Sequence, residues 1–277
     1  MLKFAVMTFM YQGWTDSAQG SHELLLETLA EAGAEGVEAF CNHFFGEKAL
    51  QKLYKRKMAE LKLVMPVMDL IADLAVSAGS ERETAYEHMR QGIDICEYFG
   101  AEIVHLAGCH LPAQADPGEA RKWIAEGIMH FIDDIEKRGM QLAFENYDPA
   151  PGLICSAAEC LEIIQLTENR ARFVFDTGNF QAAGERAEDN FELLFPYCVH
   201  FHFKDFKAAD NPRGYTGAHF GQGFIANREI AAKMVATGYQ GWLALESYPQ
   251  AGNGPLETIA PELETLKSFF DRAGRNA

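Results

Sequence analysis

Four short segments of the chain end in a side chain able to bind a metal or move a proton: AFENYD (143–148), FVFDTGNF (173–180), VHFHFKDF (199–206) and WLALESY (242–248). The ionisable positions are Glu145, Asp176, His202 and Glu246, separated by 31, 26 and 44 residues. Three carboxylates gathered in one place repel one another and resist desolvation unless a cation neutralises them. One divalent metal ion per chain is the economical answer. An oxygen-rich set with a single imidazole suits Mn²⁺ or Mg²⁺ first, with Co²⁺ and Zn²⁺ also accepted.

Convergence demands elements that aim these side chains at one point. Along a strand, alternate residues share a face, so those on the ionisable residue's parity face one way and the rest the other. Leu142 and Phe144, Phe173 and Phe175, Phe201 and Phe203, and Leu243 and Leu245 supply large apolar side chains for packing under helices. Ala143 with Glu145, Val174 with Asp176, His200 with His202 and Lys204, and Ala244 with Glu246 then point to a common interior.

Eight strand-like runs are predicted: Phe4 to Phe9, Gly36 to Phe40, Leu63 to Met68, Glu102 to Ala107, Gln141 to Glu145, Phe173 to Asp176, Val199 to Phe203 and Trp242 to Glu246. Amphipathic stretches alternate with them, among them His22 to Ala32, Arg82 to Phe99, Ala120 to Lys137, Ala157 to Thr167, Asn190 to Phe195 and Asn227 to Thr237, with Pro255 to Ala273 closing the chain. Gly33, Gly100, Gly139 and Gly238 stand where helices should stop. Regular βα alternation over 277 residues predicts an α/β fold, a single-domain (β/α)8 TIM barrel over 1–277. The rival open doubly wound sheet would carry a glycine-rich phosphate turn after its first strand, and FMYQGWTD (9–16) has none. In a barrel the loops after strands build the active face, which gives the Gly/Pro-rich pieces Ala150 to Gly152 and Asn211 to Gly217 a functional place.

Composition narrows the function classes. The chain is 48% hydrophobic and 23% charged, which excludes disorder and coiled coil. With 24 basic and 40 acidic residues its net charge is −16, so the overall field repels nucleic acid and anionic membranes. The longest apolar stretch, Leu63 to Val76, is broken by Pro66, Asp69 and Asp73, which predicts no membrane span. Six cysteines without a CxxC pair read as reduced thiols of a cytoplasmic protein.

The strand-end segments resemble the xylose-isomerase-like TIM barrels, in particular the sugar phosphate isomerase/epimerase group with its ketose 3-epimerases, hydroxypyruvate isomerases and inosose dehydratases. The resemblance spans essentially the whole chain. It rests on Glu145-Asn146, on Asp176 in an Asp-x-Gly-Asn turn with Gly178 and Asn179, on His202-x-Lys204-Asp205, on Glu246, and on the FGQGFI segment (220–225). The resemblance implies that Glu145, Asp176, His202 and Glu246 hold the metal and that Glu145 and Glu246 also transfer protons. It further implies a small sugar, keto-acid or keto-polyol substrate, isomerised or epimerised through an enediolate, and a homo-oligomer, dimer or tetramer. Ketose 3-epimerases carry a histidine and an arginine where this chain has Asn179 and Ala208, so their sugar specificity does not transfer.

Other side chains have two readings each. Lys204 contacts a substrate oxygen or neutralises the acids; Asn179 bonds a substrate hydroxyl or settles the turn after Gly178. His110, Trp14 and His200 are placed as substrate contacts, His200 because it shares the parity of His202. His105, inside its strand, is expected to be a hydrogen-bonded core residue. No cysteine has a partnered base in its sequence context, which argues against a thiolate nucleophile. Two alternatives stand beside the isomerase: a dehydratase or lyase on the same metal site, and a phosphodiesterase resembling apurinic-site endonucleases, whose basic DNA surface conflicts with the net charge.

Overall fold

A computed structural model of the chain describes residues 2–249, 254 and 256–274. Its strands are β1 (Lys3–Met7), β2 (Gly36–Phe40), β3 (Val67–Leu70), β4 (Ile103–Leu106), β5 (Gln141–Glu145), β6 (Arg172–Asp176), β7 (Cys198–Phe203), β8 (Phe206–Ala208), β9 (Tyr215–Gly217) and β10 (Trp242–Leu245). The helices are α1 (Gln12–Thr15), α2 (His22–Glu31), α3 (Lys48–Leu61), α4 (Ser80–Phe99), α5 (Pro117–Lys137), α6 (Ala157–Leu166), α7 (Ala187–Leu194), α8 (Asn227–Thr237) and α9 (Ile259–Gly274). Eight strands close into a barrel in the order β1-β10-β7-β6-β5-β4-β3-β2, and β8 pairs with β9 in a separate two-stranded sheet. This is the (β/α)8 architecture that the alternation predicts.

Local signals set the boundaries. Asp116 caps α5 by accepting from the Glu119 amide, with Pro117 at the first turn where its missing N–H costs nothing. Ser156 and Glu159 form a reciprocal capping box that starts α6 directly after the β5 loop. α4 and α8 stop at Gly100 and Gly238, both in the left-handed conformation.

Three expectations need correction. The third strand, expected at Leu63 to Met68, runs Val67–Leu70 instead, with only an isolated bridge from Val64 to Gly36 before it. Pro66 has no N–H for a ladder and so stands outside the paired segment. The piece Asn211 to Gly217, expected as loop, contributes β9 to an antiparallel hairpin with β8. The closing helix begins at Ile259; Pro255, its expected start, lies outside the described residues.

By packing the chain resolves into two compact units, Met1–Glu38 with Lys48–Val64 and His200–Ala277, and Ala39–Glu47 with Met65–Val199. Within the first, Ala5, Met7, Trp242 and Ala244 form a buried cluster with Phe9 packed against it. Within the second, Val67, Ile103, Ala143 and Val174 form another. Ala244, Ala143 and Val174 carry the parity of Glu246, Glu145 and Asp176, so alternation places small apolar residues one step below each acid. Among the described residues no helix is long and apolar enough to cross a membrane.

Candidate active site

Where β5 and β6 end, the backbone and two asparagines fix the acids. Asn146 donates Nδ2–H to the Asp176 carbonyl at 3.0 Å and accepts the Asp176 amide at Oδ1, also at 3.0 Å. The Asp176 carboxylate accepts the amides of Gly178 (2.8 Å) and Asn179 (2.9 Å) at Oδ1. Asn179 donates Nδ2–H to the Asn146 carbonyl at 2.7 Å and, more weakly, to Glu145 Oε2 at 3.4 Å. Of its two readings, the one in which Asn179 settles the turn is what these bonds describe. Such charge-assisted bonds contribute about 1.5–3 kcal/mol each and hold both carboxylates while they are buried.

Deeper in the same unit, His105 on β4 meets Asp69 on β3 through Nδ1 and Oδ1 at 2.7 Å, both fully buried. His105 is thus the hydrogen-bonded core residue expected of it. His110 lies further out, exposed and paired with Asp73 Oδ2 at 3.1 Å. It lines a cavity of about 540 Å³ together with Ile71, Asp73, Glu81 and His88, and neither Glu145 nor Asp176 is among the lining residues.

In the other unit, Lys204 at the end of β7 and Glu246 at the end of β10 pair at 2.6 Å, Nζ to Oε2, with both side chains buried. Tyr248 donates its hydroxyl to Glu246 Oε1 at 3.0 Å. Register explains the pairing: Leu245 lies beside Phe203 and the Glu246 amide donates to the Phe203 carbonyl, which sets Glu246 level with Lys204. Lys204 therefore neutralises an acid. Asp205 points elsewhere and gathers the amides of Phe206, Gly221, Gly223 and Ile225, which ties the FGQGFI segment to the end of β7.

His200, expected to touch substrate, is instead fully buried, with Nδ1 at 3.0 Å from the Trp242 carbonyl and Nε2 at 2.9 Å from Glu38 Oε2. Both ring nitrogens are engaged inside the protein. His202 Nε2 lies 3.0 Å from Glu38 Oε1. Burial pushes the Glu38 carboxyl up, but His200 and His202 pull it well below the usual carboxylate range. Trp14 sits half-buried in the short α1. The cysteines are free thiols; burial pushes Cys109 and Cys155 up to about 12, far from a reactive thiolate.

Two groups of ligating side chains result among the described residues. In one unit Glu145 and Asp176 stand together through Asn146 and Asn179; in the other His202 stands beside Glu38. Glu246, expected as a fourth ligand, is in neither and faces Lys204 and Tyr248. Two carboxylates and one imidazole are a fitting donor set for Mn²⁺ or Mg²⁺, and three protein ligands leave coordination positions for a substrate. Glu38 and Asp69 were missed by sequence reasoning. The parity signal for Glu38, one acid amid apolar residues in GVEAF, is present in the sequence; Asp69 lies beyond the strand end expected at Met68, two residues short of the observed end at Leu70.

A closed parallel barrel with acids gathered at its strand ends defines a class of TIM-barrel proteins that carry their chemistry at the carboxyl face. Within that class, the family profile described as "Xylose isomerase-like TIM barrel" matches residues 26–269, and the chain belongs to this family. Among its relatives, the L-ribulose-5-phosphate 3-epimerase UlaE of Salmonella typhi is 24% identical over 222 residues, covering 78% of this chain and 76% of the relative. The Escherichia coli K12 protein of the same name is 23% identical over the same length and shares. The fold is shared with a solved D-tagatose 3-epimerase-like protein (TM-score 0.81, 18% identity, 99% of each chain). It is shared also with the probable 3-DHS dehydratase AsbF of Bacillus anthracis (TM-score 0.76, 18% identity, 96% of this chain and 98% of that one).

Proposed function

We propose that this chain is a divalent-metal-dependent isomerase or epimerase of a small sugar, keto-acid or keto-polyol. The observation that carries the proposal is the pair of buried acids at the adjoining ends of β5 and β6, Glu145 and Asp176, held through Asn146 and Asn179 in a chain of this family. The 3-epimerase relatives support the reaction class. Glu145, Asp176 and His202 would hold the cation, which when bound supplies Lewis acidity toward a carbonyl and the hydroxyl beside it and so acidifies the adjacent C–H.

The remaining work falls to the chain's own groups. Glu145 keeps one carboxylate oxygen toward Asn179 and stands as one proton carrier. Glu246, fixed at Oε1 by Tyr248 and at Oε2 by Lys204, is the second. One glutamate removes the proton next to the carbonyl and the other returns it; which carbon or face receives it decides between isomer and epimer. Lys204, already 2.6 Å from Glu246, is within reach of a developing negative oxygen beside that carboxylate.

Solvent deuterium incorporation followed by NMR tests this, with chelated and Mn²⁺-restored protein offered ketoses, keto-acids and inososes in D₂O. Metal-dependent exchange beside the carbonyl is expected, and Glu246→Gln should lower it about 10²–10⁴-fold. Loss of water in place of exchange would move the reaction to dehydration. Folded, metal-loaded protein that exchanges nothing, or a Glu246→Gln variant at full rate, would overturn the proton-transfer roles.

A further inference from the structure

We propose that Cys41 and Cys96 are a redox-modification site, a thiol pair that a peroxide oxidises to an intramolecular disulfide, which then fastens the turn after β2 to the last part of α4. Cys41 opens a 3-10 turn, Cys41–Phe44, directly behind β2. Cys96 lies about one turn before α4 ends at Phe99. Their Sγ atoms are 3.5 Å apart, and both residues are fully buried.

The same two segments meet again three residues further on, where Phe44 and Phe99 pack with ring centroids 4.9 Å apart. Two contacts between the same segments hold them in register, so the fold has already met the entropic cost of bringing the thiols together. Closing the bond moves the sulfurs from contact to about 2.05 Å, a shift shared between two side chains. Each of the other four cysteines sets its sulfur against a backbone carbonyl: Cys109 against Ala72, Cys155 against Asn179, Cys160 against Ile154 and Cys198 against Leu194.

One peroxide balances one disulfide. A thiolate sulfur attacks a peroxide oxygen, the O–O bond breaks, and a sulfenic acid forms while hydroxide leaves and takes up the proton the thiol gave up. The second thiol attacks the sulfenic sulfur, the S–S bond forms, and the hydroxyl departs with that thiol's proton as water. Two thiols have then lost two electrons and the peroxide has become two waters. Burial pushes the Cys41 thiol well above its ordinary range, and Cys96 beside it pushes it further, so the pair is inert until a local opening admits the oxidant. Once one sulfur is a sulfenic acid, reclosure returns its partner to contact, and the disulfide forms ahead of the second oxygen transfer that makes a sulfinic acid. Cys109 is equally buried but has no thiol beside it in the fold, so only the sulfinic route is open to it.

The turn that this bond fastens also holds the segment after β3. Asn42, next to Cys41, donates Nδ2–H to the Ile71 carbonyl at 3.0 Å and accepts the Ile71 amide at Oδ1 at 2.9 Å. Ile71 lines the same cavity as Asp73 and His110. Oxidation of the pair therefore stiffens one wall of that cavity.

Full-length folded protein is treated with hydrogen peroxide, alkylated and digested without reduction, and mass spectrometry shows which cysteines have joined. A Cys41–Cys96 peptide pair two hydrogens lighter than its separate parts is expected as the first product at either residue, and dithiothreitol should reverse it. The Ile71 amide should exchange about 3–10-fold more slowly in the oxidised protein. In Cys41→Ala the bond cannot form, and Cys96 should gain two oxygens instead. Sulfinic acid on Cys41 or Cys96 of the wild type ahead of any crosslink, a crosslink from either to a different cysteine, or a pair that stays reduced through prolonged treatment would overturn the proposal. If Cys41→Ala does not fold, the wild-type peptide map and the exchange of Ile71 decide. A Cys41–Cys96 disulfide with unchanged exchange at Ile71 would overturn the fastening while supporting the modification site.

Discussion

Replacing Asp205 by asparagine tests how the FGQGFI segment is held. Asp205 is 2% exposed, and its carboxylate accepts four backbone amides: Phe206 at 3.0 Å and Ile225 at 3.1 Å on Oδ1, Gly221 at 3.0 Å and Gly223 at 2.9 Å on Oδ2. Burial pushes this carboxyl up while the four amides pull it down, so the amides are what make the buried acid tolerable. Asparagine keeps one acceptor oxygen and sets an NH₂ against the other two amides. Each of those buried donors then loses its partner at about 1–3 kcal/mol, for a combined loss of about 2–6 kcal/mol. Equilibrium urea unfolding measures the total, and amide hydrogen exchange at Gly221, Gly223 and Ile225 reports whether the loss is local. A destabilisation below about 1 kcal/mol with unchanged exchange at those amides would refute the reasoning. The converse substitution, Gly223→Ala, drives a methyl group into Asp205 Oδ1 and the Phe206 carbonyl, and should release the same segment.

Three further outcomes are expected. Lys204→Met leaves the buried Glu246 carboxylate without its cation and should cost about 3–5 kcal/mol in urea unfolding; a Lys204→Met/Glu246→Gln double variant that recovers none of this would show that the pair is not the cause. Burial raises the Tyr11 phenol from 10.0 to about 12. The fold thus favours the neutral phenol, a contribution fully present below pH 10 and lost as pH climbs to about 12, so the wild type should lose about 2–3 kcal/mol relative to Tyr11→Phe across that window. Parallel stability curves for the two proteins would contradict it. Gly92→Ala brings a methyl group to 2.5 Å from both Leu70 Cδ atoms under α4 and should cost about 1–3 kcal/mol by thermal unfolding, with no loss meaning that β3 and α4 yield easily.

What was legible in the sequence, and what was not, follows from range. Alternation within a strand is a local property, and it placed Glu145, Asp176, His202 and Glu246 on the parity of Ala143, Val174, His200 and Ala244 before any strand was paired. Proline is local too, but its consequence was not: Pro66 displaced β3 toward its carboxyl end and brought Asp69 onto the strand opposite His105. Register between strands is invisible in a single chain, and it decides partners. Lys204 shares a face with His202, and the pairing of Leu245 with Phe203 sets it level with Glu246. The same rule hid Glu38, whose parity is plain in GVEAF but whose two histidine partners stand more than 160 positions away in sequence. A strand-end acid can thus be read from the chain as able to ligate; which side chain it meets, a lysine for Glu246 and two imidazoles for Glu38, is settled by register.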